Sequence, residues 1–193
     1  MKKGILSFLM SALMLTFVAC GNKDGREDST EAAEDQNEEK FEDSKLDDDA
    51  EFAVEAADGG LLEVQLGTLA LTKASSSEVK QFAQMMVDDH IKANNELKVL
   101  AQQKNISLPT VLGDEYQKKY DNLNEKTGTD FDKEYMDLMV KDHKEDINEF
   151  EEQAEDGKDP ELKSWAAGKL FALRHHLDMA ERTQESVKEN KNQ

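Results

Sequence analysis

The stretch MMVDDHIKANNEL, Met85 to Leu97, recurs 53 residues later as LMVKDHKEDINEF, Leu138 to Phe150, with Met, Val, Asp and His in register. Imidazole is the side chain best suited to proton transfer near neutral pH and to binding transition metals. The chain has only four histidines, His90, His143, His175 and His176, so placing two of them in one local setting is informative. His175 stands beside Arg174 and reads as solvent-facing. His90, His143 and His176 fall on apolar seams of helical period, and Glu63 is the one large polar group on a stripe of small residues made by Ala56, Gly60, Gly67 and Ala70.

These four residues can act together only if the elements carrying them meet. From Leu46 onward the chain reads as helix throughout, with breakers between the periodic runs. One long helix is expected from Asp47 to Lys73, with three aspartates at its positive end. After the ASSSEV turn, where Ser75 and Glu78 have capping-box spacing, a second runs to Lys104. The connection from Asn105 to Thr129 contains a short helix over Asp114 to Glu125. A third long helix spans Asp130 to Glu155, and Asp159 followed by Pro160 starts a fourth that ends near Lys188.

Two hairpins with tight turns are thus joined by one connection long enough to travel the length of a bundle. The second and third long helices can then run parallel. At about 1.5 Å per residue, Glu63, His90, His143 and His176 all lie roughly 20 Å from the end that carries the first tight turn. One carboxylate and three imidazoles share a level near mid-bundle, one on each helix. Such a set suits zinc, manganese, iron or copper, and spacing cannot choose among them.

Met86 and Met139 precede His90 and His143 by four residues, and Met179 follows His176 by three, which sets three thioethers one turn toward the same end. A layer of this kind would favour a soft ion such as Cu(I), although methionine is equally a filler of helical cores. The competing account of the histidines is that each is satisfied by hydrogen bonds, with Glu63 pairing one of them. Asp89 and Asp142 sit about 100° off the seams, either exposed or orienting a histidine through its second nitrogen.

The first nineteen residues, MKKGILSFLMSALMLTFVA, have two lysines and then a short apolar run ending in small residues, the layout of an export signal. The run is too short to span a membrane, which takes about 20 apolar residues. FVAC resembles the lipobox of bacterial lipoproteins, which implies cleavage before Cys20 and its acylation. Cys20 is also the only cysteine, so no intramolecular disulfide is possible. The expectation is a lipid-anchored protein of the cell envelope, at the outer membrane on its periplasmic or surface face.

Formal net charge is −19, and loss of Lys2 and Lys3 takes it to −21. Residues 24 to 51 hold 14 Asp or Glu against Arg26, Lys40 and Lys45. With few groups able to be buried, residues 20–45 are expected to form a disordered acidic tether, a spacer or a surface-sorting signal. No basic stripe interrupts this acidity, which excludes nucleic acid as a partner. The domain is expected to span 46–189, with 190–193 as a tail.

GGLLEVQLGTLALTKASSSEVKQFAQMMVDDH, YMDLMVKDH and LKSWAAGKLFALRHHLDMA resemble a bacterial family of outer-membrane or periplasmic proteins, a domain of unknown function placed with the ferritin-like folds. The resemblance covers Phe52 to Ala180 and implies an all-α, ferritin-like four-helix bundle with one long crossover between its second and third helices. It brings no activity. Ferritin-like di-iron enzymes place Glu three residues before a metal-binding His, whereas here those positions hold Val87, Val140 and Leu173. A ferroxidase centre is therefore not expected. Three functions remain: a non-enzymatic envelope bundle holding a metal ion and serving envelope homeostasis or stress tolerance, a metalloenzyme of oxygen-species or small-molecule chemistry, and a structural or adhesive module. No catalytic triad, phosphate loop or cysteine ligand pair supports other chemistries.

Overall fold

The computed structural model describes residues 28–42, 44 and 46–190, and within them the chain is all-α. The export signal, Cys20, the first residues of the acidic segment and the end of the tail lie outside the described residues. The helices are α1 (Ser29–Phe41), α2 (Asp47–Lys73), α3 (Ser77–Lys104), α4 (Asp114–Asn124), α5 (Gly128–Asp156) and α6 (Pro160–Asn190). Among the described residues, no helix is long and apolar enough to cross a membrane.

α2, α3, α5 and α6 pack as a bundle around a core divided by level. At one end, Leu62, Leu66 and Leu69 of α2 meet Phe82 and Met86 of α3, Phe131, Tyr135 and Met139 of α5, and Ala180 and Val187 of α6. The C-terminal halves of α2 and α6 thus lie beside the N-terminal halves of α3 and α5. At the other end, Ala50 and Ala53 of α2 join Leu97 and Ala101 of α3 and Leu162 of α6. α3 and α5 therefore run in the same direction, and the connection through α4 returns along the bundle.

Two buried aspartates fix the ends, each holding the turn of the other hairpin. Asp132 of α5 accepts from the backbone N–H groups of Ser75 and Ser76 at 2.9 and 2.8 Å, in the turn between α2 and α3. Asp49 of α2 accepts from the N–H groups of Lys158 and Asp159, in the turn between α5 and α6, and from Gln153 Nε2. Both aspartates are buried, so their carboxylates are satisfied by turn amides through charge-assisted hydrogen bonds. The cap of α3 is Ser76, whose side chain accepts from Glu78 and Val79, one residue beyond the Ser75 that capping-box spacing suggested. Asp159 caps α6 as its spacing predicts, accepting from Glu161 and Leu162.

The acidic segment departs from the tether expectation, because α1 lies against α2. Asp28 caps α1 through Thr30 and Glu31, and its other oxygen takes the N–H of Asp114 at the start of α4. Ala33 and Asn37 are buried, and Asn37 exchanges two hydrogen bonds with the backbone of Ser107, at 2.9 and 2.7 Å. Low apolar content was the ground for expecting disorder. Here order comes from capping and from amide pairing to the crossover, which composition does not register.

The small stripe of α2 lets α3 approach closely. A Cβ on Gly67 would stand 2.7 Å from a Val87 methyl and 3.1 Å from the backbone oxygen of Ala83, so only glycine fits without displacement. This contact sets α2 and α3 near enough for Glu63 and His90 to meet.

Candidate metal centre

His90, His143 and His176 each offer a ring nitrogen, all within 4.8 Å of one another. Their ring centroids are 5.3 to 5.8 Å apart. All three are buried, with His143 and His176 at 0 and 2 % exposure. Helical period alone puts each on the inner seam of its helix, and the parallel course of α3 and α5 brings the seams to one level.

Each ring is oriented through its second nitrogen. His143 Nδ1 lies 3.0 Å from the Met139 carbonyl, which can only accept, so Nδ1 carries the proton and Nε2 is bare. His176 Nε2 lies 3.0 Å from Asp89 Oδ2. Donation there leaves Nδ1 bare, and that atom faces His143 Nε2 at 3.4 Å. The opposite tautomer would let His176 donate to His143, but would set a bare Nε2 against a carboxylate. His90 Nδ1 is 2.6 Å from Glu63 Oε2, and His90 Nε2 is buried without a hydrogen-bond partner. With Glu63 ionised, His90 donates from Nδ1 and three lone pairs converge with no hydrogen between them.

Protonation does not relieve that arrangement near neutral pH. Burial, reinforced by the neighbouring His90 and His176 rings, lowers His143 to about 3. Burial lowers His90 to about 4, and His176 is lowered by the same cause against a partial opposing pull from Asp89. Burial raises Glu63 well above the usual carboxylate range, which favours a proton on its carboxyl in the absence of an ion; an ionised Glu63 is the state that leaves His90 donating from Nδ1.

The four residues singled out in the sequence are therefore brought together, but not equivalently. The three imidazoles converge, while Glu63 touches His90 at 2.6 Å and His143 Nδ1 at 3.5 Å, on the nitrogens that point away from the cluster. Carboxylate–histidine pairs of this kind fix the tautomer and raise the basicity of a ligating ring. Asp89 is exposed yet orients His176, one of its two expected roles. Asp142 fills neither role, since it is buried and faces Lys119 at 3.8 Å. Met86 and Met139 are fully buried in the apolar cluster, and Met179 packs against it half-buried.

Glu63 is not the one carboxylate at this level. Asp142 and Asp146, four apart on α5, both turn inward, and Asp146 offers a ligand oxygen within 4.8 Å of those of Glu63 and His143. The signal for them was weak, because α5 carries acidic residues around most of its circumference. A cavity of about 220 Å³ opens onto Glu63, His90 and His176 and is walled by Tyr116, Phe150 and Trp165.

No curated protein and no solved structure matches the chain. Its sequence does match, over residues 30–183, the family described as a domain of unknown function, DUF4142, so α1 falls within the matched region and the protein belongs to that family.

Proposed function

We propose that this protein is a lipid-anchored helical bundle of the bacterial cell envelope, built on a ferritin-like four-helix arrangement, which holds one transition-metal ion on His90, His143 and His176. Glu63, Asp89 and the Met139 carbonyl orient those rings. The observation that carries the reading is the convergence of three buried ring nitrogens within 4.8 Å, each ring held by a hydrogen bond at its other nitrogen or facing a carboxylate there. Buried lone pairs without a partner cost free energy, and a shared electron-pair acceptor removes that cost. Three neutral imidazoles suit zinc, copper or iron over manganese. Binding selects the state in which the His90–Glu63 proton sits on Nδ1, so the ion and the carboxylate stabilise each other. A role in envelope homeostasis or stress tolerance follows as the biological setting of this reading.

A second reading, a metalloenzyme acting on oxygen species or a small molecule, draws on the cavity of about 220 Å³ beside the rings. A three-histidine site leaves a coordination position for water or substrate.

The full-length chain, purified in detergent, stripped with chelator and offered Zn, Mn, Fe and Cu in turn, is expected to retain one ion per chain by elemental analysis. The His90→Ala, His143→Ala double variant is expected to retain no Zn, Fe or Cu. A wild-type chain without stoichiometric metal overturns both readings, and the enzyme reading also requires turnover that the double variant lacks.

A further inference from the structure

A second, smaller cavity of about 30 Å³ lies between α2, α4 and α5, sharing Glu63, Tyr116, Asp146 and Glu149 with the larger one but lined by none of the three imidazoles. It has room for one water or one ion and none for an organic ligand. Its wall includes Glu63, Asp142, Asp146 and Glu149, with Tyr116 and Lys119 on the α4 side. We propose that Glu63, Asp142, Asp146 and Glu149 hold a hard divalent cation in this cavity, separate from the three-imidazole site.

Unpartnered buried oxygens point to an occupant. Glu63 is 4 % exposed and its Oε1 has no hydrogen-bond partner, with His143 Nδ1 3.5 Å away. Asp142 is 7 % exposed, and neither of its oxygens is hydrogen-bonded. Isolated buried carboxylates of this kind require a cation or a retained proton. The cation within reach is the Lys119 ammonium, 3.8 Å from Asp142 Oδ1 and also 4.0 Å from Glu115, so it offsets one charge among four. Glu145, also in the wall, is engaged by Lys141 at 3.5 Å.

Spacing on α5 supports a built site. Asp142, Asp146 and Glu149 are four and three residues apart and so line one face of the helix, while Glu63 closes the site from α2. His143 is excluded as a ligand here, because its Nδ1 proton is given to the Met139 carbonyl and its bare Nε2 faces the other cluster. The donors are then all carboxylate oxygens, which suit magnesium, calcium or manganese over the softer ions favoured by imidazole.

The test uses Mn²⁺ as the probe. The full-length chain is stripped with chelator, given one equivalent of Zn²⁺, and titrated with Mn²⁺ by calorimetry and electron paramagnetic resonance. One Mn²⁺ per chain is expected, and the same in a His90→Ala, His176→Ala variant without zinc, which separates this site from the imidazole reading. Asp142→Asn with Asp146→Asn is expected to weaken Mn²⁺ at least tenfold and leave zinc stoichiometry unchanged. Should that pair fail to fold, Glu149→Gln at the rim is expected to weaken Mn²⁺ at least threefold. The proposal is overturned if no saturable Mn²⁺ binds in the millimolar range, which leaves the carboxyls protonated, or if Mn²⁺ binds the folded carboxyl variants as tightly as wild type.

Discussion

Burial among two other imidazoles keeps the His143 ring neutral, and the consequence is a stability that depends on pH. Its folded value is about 3, against 6.5 for the ordinary side chain. Above pH 6.5 neither folded nor unfolded chain protonates the ring, so it contributes no pH dependence. As pH falls below 6.5, the unfolded chain takes up a proton that the folded one refuses, and stability declines toward pH 3. His90, lowered to about 4, acts in the same direction, while the raised Glu63 and Asp146 act in the opposite one. In chelator, His143→Leu is therefore expected to retain more stability than wild type on acidification from pH 7 to 4, by on the order of 3 kcal/mol. Urea melts at the two pH values check this, and equal losses in both proteins would remove His143 from the account.

At the level of elements, the two hairpins are locked by carboxylates that sit in one and grip the turn of the other. Asp132→Ala strands the amides of Ser75 and Ser76, and Asp49→Ala strands those of Lys158 and Asp159. Each is expected to cost about 2 kcal/mol in urea denaturation, since the lost bonds are part-buried and charge-assisted. Because the clamps lie at opposite ends, the double variant should sum the single effects to within about 0.5 kcal/mol. α1 is a different case, attached through Asn37, Ala33 and the Asp28 cap. Asn37→Ala removes the paired bonds to Ser107, and hydrogen exchange is expected to show lost protection in α1 with α5 and α6 unchanged. Unchanged protection in α1 would mean that other contacts hold it.

For the whole molecule, charge and address belong together. A formal charge of −19 keeps the chain off other acidic surfaces, so the membrane attachment proposed for it has to come from lipid at Cys20. Cys20→Ser is expected to move the protein from the membrane fraction to the soluble one without changing its metal content, and retention in the membrane fraction would defeat the lipid anchor. Much of the architecture was legible in the sequence, because helical period, the Asp159–Pro160 start and the length of the Asn105–Thr129 connection are local quantities that survive without a partner. α2 runs from Asp47 to Lys73 in both accounts for that reason. The seam also carried His90, His143 and His176 to a common depth, which needs only a rise per residue and the direction of each helix. Tertiary structure alone decided which nitrogen each ring turns inward, since that depends on a carbonyl one turn away in α5 and on carboxylates from neighbouring helices. It also decided that Asp142 and Asp146 face in, on a helix where acidic residues mask any polar seam, and that α1 is ordered by bonds to residues about seventy positions away. Sequence fixes what a helix can present along its own axis, and packing decides what each face meets.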